Sequence, residues 1–177
     1  MSGTWLQVVW ETVCDEFSDL PDVSSVTRIT VRLILAALLG GILGFEREQR
    51  GKAAGLRTHM LVALGAALFV LIPQQAGSSE ADLTRIVQGI VAGIGFLGAG
   101  AIVKGKVEED TKGLTTAAGI WLTAAIGVAA GMGRETSAVL STAIAVFILS
   151  AFSSLGHFLQ SREKSKPESV AATVKDA

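Results

Sequence analysis

The charged side chains of this sequence come in short blocks, and these blocks hold most of the chemistry the chain could perform. Glu46, Arg47 and Glu48 stand together, and Arg57 follows after a short polar stretch. A Glu46–Arg57 pair would close a helical hairpin at a membrane surface. Exposed pairs contribute about 0–1 kcal/mol, and a partly dry interface raises that. The block reads as a structural or partner-binding feature, with solvated loop charge as the plain alternative. Arg47, Arg50 and Lys52 would also attract anionic headgroups, at about 1 kcal/mol each. Arg28 and Arg32 are four residues apart and share one helical face. Arg28 can snorkel to the nearer surface. Arg32 lies deeper, where a charge needs a partner or a watery cavity, so it is the better functional candidate.

Other groups point away from catalysis and metal binding. Glu108, Glu109 and Asp110 form an acidic run that reads as a solvated loop. At most it would hold magnesium weakly, since that ion keeps its water and takes one or two carboxylates. His59 has no second histidine or cysteine nearby, so no metal site is expected. No Ser/His/Asp grouping, phosphate loop or carboxylate pair within an apolar stretch suggests an enzyme. No cofactor and no nucleic-acid partner are expected. Cys14 is the sole cysteine, which excludes an intrachain disulfide.

The elements that must position these residues are membrane helices. Half of the 177 residues are hydrophobic and only 18% are charged, where soluble domains carry about 25%. A crossing helix needs about 20 mostly apolar residues. Five stretches are expected to cross, over residues 26–45, 57–74, 86–103, 114–133 and 136–158. The second is short and ends at Pro73. Residues 1–25 carry acids but no Lys or Arg, so they do not resemble a cleavable signal. Trp5, Leu6, Val9, Trp10, Val13 and Phe17 recur there at helical spacing, which predicts an amphipathic helix on the membrane surface, with a mobile lead-in as the alternative. Residues 159–177 read as a disordered tail. Eleven of the fifteen Lys and Arg fall on one side of this arrangement. That side is cytoplasmic by the positive-inside rule, with the C-terminus there and the N-terminus outside. The expected fold is an all-α polytopic membrane helix bundle of about five transmembrane helices.

An internal likeness runs through the bundle. Residues 55–68 (GLRTHMLVALGAAL) and 113–126 (GLTTAAGIWLTAAI) align at a fixed offset. Spans one–two and three–four therefore read as a parallel repeat, against the alternative of convergent Gly/Ala/Leu composition. Thr58, Thr115 and Thr116 lie in the first turns of spans two and four. Two helix N-termini on one side would favour an anion, and capping explains the threonines as well.

These motifs also carry a family resemblance. GGILGFERE (40–48), GLRTH (55–59), LGAAL (64–68), GIGFLGAGAI (93–102), GLTTAAGIW (113–121) and AAIGVAAG (124–131) occur in order across four spans. The pattern, over roughly residues 28–155, resembles the membrane domain of the MgtC/SapB family. The resemblance implies a bacterial inner-membrane protein linked to adaptation to low magnesium and, in pathogens, to survival inside host cells. For some members it also implies action by binding other membrane proteins. The magnesium link comes from the resemblance alone. Two departures stand out. Longer members carry a soluble C-terminal domain of ACT type, which this chain is expected to lack. Some members have Asn where this chain has Thr115 and Cys where it has Leu122.

Glycines mark where helices would meet. Gly40 and Gly44 on span one, Gly89, Gly93, Gly95, Gly98 and Gly100 on span three, and Gly127 and Gly131 on span four offer close-contact faces. Span three would then have neighbours on two sides and sit centrally. A pore lining is the other reading, but these faces carry no side-chain oxygen for a cation. Two functions follow. One is a regulator that binds partner membrane proteins, or a second copy of itself, by helix–helix contact. The alternative is a transporter of magnesium or another ion.

Overall fold

The computed structural model describes residues 4–16, 18, 22–103 and 113–164, with the backbone alone at 103 and 152–164. The expected loop charges Lys104, Lys106, Glu108, Glu109, Asp110 and Lys112, and the tail from 165, lie outside the described residues. Among the described residues there are six helices and no strand: α1 (Trp5–Glu16), α2 (Val23–Gln49), α3 (Leu56–Gln75), α4 (Glu80–Val103), α5 (Leu114–Gly131) and α6 (Glu135–Lys164).

The chain is all helical because a bilayer offers no partner to a free backbone group, and a helix satisfies its own. Local signals set the ends. Asp22 sits in extended conformation and accepts the Ser25 N–H at 2.6 Å and the Ser24 hydroxyl at 2.9 Å, which starts α2. α2 then runs past its apolar stretch and carries Glu46, Arg47 and Glu48 as its last turns. α3 passes through Pro73 and closes two residues later, with Ala76 N–H donating to Ile72 O at 3.0 Å. α2, α3, α4 and α5 are each long and apolar enough to cross a membrane, and α6 is apolar over Glu135–Ala151. Their outward faces hold large apolar side chains: Leu61 is 68% exposed, Phe147 67% and Phe96 81%. A continuous belt of this kind belongs against lipid. α1 packs against no other helix, and none of its residues is buried.

α5 is the central helix. It packs against α2, α3, α4 and α6, while α4 touches only α5 and, more lightly, α3. The expectation that span three is central is therefore corrected. Only 6% of the most apolar window of α4 is buried, against 44% for α5. The reason lies in which small residues face inward. Gly119, Gly127 and Gly131 of α5 lie on His59, Ala63 and Ala67 of α3, so the two helices run parallel and in close contact. The core is built from Ala36, Leu39 and Leu43 of α2, Ala63 and Ala67 of α3, Ile126 and Ala130 of α5, and Ala138 and Ala145 of α6.

Two contacts recur between the hairpins. Gly40 lies against His59, and Gly98 lies against Ala117; Gly44 lies against Gly55, and Ile102 lies against Gly113. Each second contact is the first displaced by the offset of the sequence likeness. The second hairpin is the looser one. A Cβ on Gly40 would meet His59 O at 2.5 Å, whereas one on Gly98 would meet Ala117 Cβ at 3.6 Å.

Candidate functional site

At one end of the bundle α2 finishes while α3 and α5 begin. Here Glu46 pairs with Arg47 and Arg50 on its own helix. The expected Glu46–Arg57 pair does not form. Arg57 is exposed, because the turn directs it outward while Glu46 is already held by its neighbours. Arg47 is buried to 2% exposure, so it is not the headgroup-facing charge its place beside the loop suggested. Glu48 reaches across the hairpin instead. Its Oε2 accepts the Leu56 N–H at 2.8 Å, and the missing side chain of Gly55 leaves it the room. A carboxylate on an N-terminal turn contributes about 0.3–1 kcal/mol. Thr58 and Thr115 are exposed and Thr116 is buried.

His59 was missed as more than a metal candidate. It is fully buried where α2, α3 and α5 meet. Its Nδ1 lies 2.9 Å from Gly55 O, and since a carbonyl only accepts, Nδ1 is the donor. Its Nε2 is buried without a hydrogen-bond partner. The signal was present in the spacing: His59, Ala63 and Ala67 form one i, i+4 face of otherwise small residues.

The opposite end converges on Arg32. Its Nη1 donates to Gln74 Oε1 and to Gly131 O, both at 3.1 Å, and its Nε lies 3.5 Å from Glu135 Oε1. One guanidinium thus joins α2 to the last turns of α3 and α5 and the first turn of α6. A cation at the end of α5 also meets the negative end of that helix. The turn beneath is made for it. Gly133 has φ +77°, and a Cβ there would lie 2.2 Å from Arg32 Nη2. Glycine serves both needs at this position.

The glycines divide sharply. A Cβ on Gly127 would lie 2.2 Å from Ala63 O, one on Gly131 2.5 Å from Ala67 O, and one on Gly44 2.7 Å from Leu56 Cα. Gly89, Gly93, Gly95 and Gly100 meet nothing within 4 Å. The expectation that these four pack helices inside the chain is corrected, since no other helix comes close enough to meet them. A cleft of about 620 Å³ runs beside them between α3 and α4, walled by Leu61, Gly65, Phe69, Gly89, Gly93 and Leu97. Among the described residues no three His, Cys, Asp or Glu side chains gather as metal ligands would.

Apolar helices of crossing length, charges held at the two ends and a small-residue core define a multi-pass membrane helix bundle. The MgtC family model matches residues 33–158, well over half of the chain, and the chain belongs to that family. It is 42% identical to Protein SrpB of Synechococcus elongatus over 138 residues, 72% of this chain and 76% of that protein. It is 40% identical to "Putative magnesium transporter YhiD" of Escherichia coli K12 over 132 residues, 71% of this chain and 60% of that one. It is 48% identical to Protein MgtC of Brucella abortus (strain 2308) over 114 residues, 64% of this chain and 45% of that one. The match thus spans about half the length of the last protein. No solved structure matches the chain.

Proposed function

We propose that this protein is a regulator in a bacterial inner membrane, of the kind linked to adaptation to low magnesium and to survival inside hosts. It acts by binding a partner membrane protein, or a second copy of itself, through the outer face of α4. The observation that carries this reading is the open glycine face of α4 beside an apolar cleft. Helices in lipid associate where small residues let backbones approach and pack. The repeated contacts support a duplicated hairpin, α2–α3 and α4–α5. On that reading, α6 lies over α2 and α5, and the matching place against α4 and α3 is the cleft. With α6 as a fifth crossing, the distribution of basic residues favours an outside N-terminus and a cytoplasmic C-terminus.

The magnesium-transport reading draws on the name of YhiD and on the duplication. The interior speaks against it. Magnesium needs oxygen ligands and retains its water, while Ala36, Leu39, Leu43, Ala63, Ala67, Ile126 and Ala130 fill the space between the two charged ends. The Thr123 hydroxyl within that space donates to Gly119 O at 2.8 Å. Liposomes containing only the purified protein are therefore expected to take up magnesium no faster than empty ones. Robust uptake would replace the regulator reading with the transporter.

A further inference from the structure

The end of the bundle where α2 begins holds a pocket that the α4 face does not involve. It has a volume of about 390 Å³ and is lined chiefly by Arg28, Ile29 and Arg32 of α2 and by Leu71, Gln74 and Gln75 of α3. Two guanidinium groups line it, and among the described residues no carboxylate does. The acids nearest in the chain or bonded to these residues are already engaged. Asp22 accepts from Ser24 and Ser25, and Glu135 pairs with Arg32. Arg32 is immobilised by Gln74, Gly131 and Glu135. Arg28, one turn away on the same face, is exposed and makes no hydrogen bond or ion pair among the described residues.

A fixed guanidinium, a free one and two side-chain amides suit an anion with several oxygens, which arginine grips through its planar fork of donors. The pocket sits at the ends of membrane-length helices, where lipid headgroups come within reach of Arg28. At the same depth the flanks of α2 and α3 are apolar and exposed at Val31 and Ile72. We infer that this pocket binds a phosphate-type oxyanion, carried by an anionic phospholipid headgroup or free in solution, with Arg28 closing on it against the fixed Arg32.

Native mass spectrometry of the full chain in neutral detergent tests this, with phosphatidylglycerol, phosphatidylcholine and inorganic phosphate titrated separately. Arg28→Gln is the informative variant, since Arg28 holds nothing in the fold. Arg85→Gln is the control, because Arg85 is an exposed arginine at the same end, paired with Asp82 at 3.5 Å. Binding of phosphatidylglycerol over phosphatidylcholine is expected to weaken about fivefold in Arg28→Gln, the equivalent of one headgroup contact. Arg85→Gln should leave it unchanged. Saturable binding of inorganic phosphate that Arg28→Gln weakens equally would assign the site to the free anion, and its absence would assign it to the lipid. Equal loss in the two arginine variants, or no preference for either anion over phosphatidylcholine, would overturn the inference.

Discussion

Arg32 is the residue on which most of the helices depend. It makes two charge-assisted bonds to groups on other helices and lies within reach of an acid on a third. Such bonds contribute about 1.5–3 kcal/mol where partners are left unsatisfied. Arg32→Ala should therefore lower stability by about 2–3 kcal/mol in a detergent unfolding titration, while Arg28→Ala should stay within about 0.5 kcal/mol. Asp22 carries a pH dependence. The Ser25 backbone N–H, helped by the Ser24 hydroxyl, holds its carboxyl below the usual carboxylate range. A depressed folded-state value means that the cap stabilises α2 above the ordinary carboxylate range and is lost as pH falls through the folded value. Protection of the Ser25 amide against exchange, taken relative to the intrinsic rate at each pH, should fall on acidification below that range, and Asp22→Asn, which also caps helices, should remove the dependence. The sequence picked out Arg32 as a charge that needs a partner. Its partners were not, because Gln74 and Gly131 stand 42 and 99 residues away. The acid that crosses the first hairpin was misread for a different reason: i, i+1 and i, i+4 neighbours on α2 hold Glu46, so Glu48 makes the reach to α3.

At the scale of helices, one residue type does two jobs. Gly127 lies on the backbone of α3, where even a methyl group would overlap Ala63 O. Gly127→Ala should therefore cost about 1–3 kcal/mol of stability. Gly93 faces open space, so Gly93→Ala should be neutral or stabilising by up to about 1 kcal/mol through helix propensity. Thermal denaturation of the two variants in one detergent checks the contrast directly; a comparable loss in both would mean that α4 packs as tightly as α5. Hydrophobic length and composition were enough to place the ends of α2, α3 and α5 within four residues, while α4 begins six residues before the expected span. They were not enough to rank the helices by depth. A glycine looks the same in sequence whether it meets a backbone or lipid, and α4 carries the richest run of glycines while α5 carries the ones that touch.

Among the described residues of α2 to α6, charge lies at the two ends and the middle is alanine, glycine and aliphatic packing. The parallel hairpins differ in what covers them. α6 lies against α2 and α5, while the described residues leave α4 open on the side of its cleft with α3. This asymmetry is the basis for reading the chain as a protein that completes its packing with another membrane helix. The most direct test is site-specific photocrosslinking in native membranes. A photoreactive residue at Leu97, on the cleft, should give a discrete adduct with one membrane protein or a second copy of the chain. Gly93→Leu should abolish that adduct while leaving the protein folded, and a photoreactive residue at Ile34 on α2 should give none. Adducts of equal yield from Leu97 and Ile34, or a Leu97 adduct indifferent to Gly93→Leu, would contradict the account.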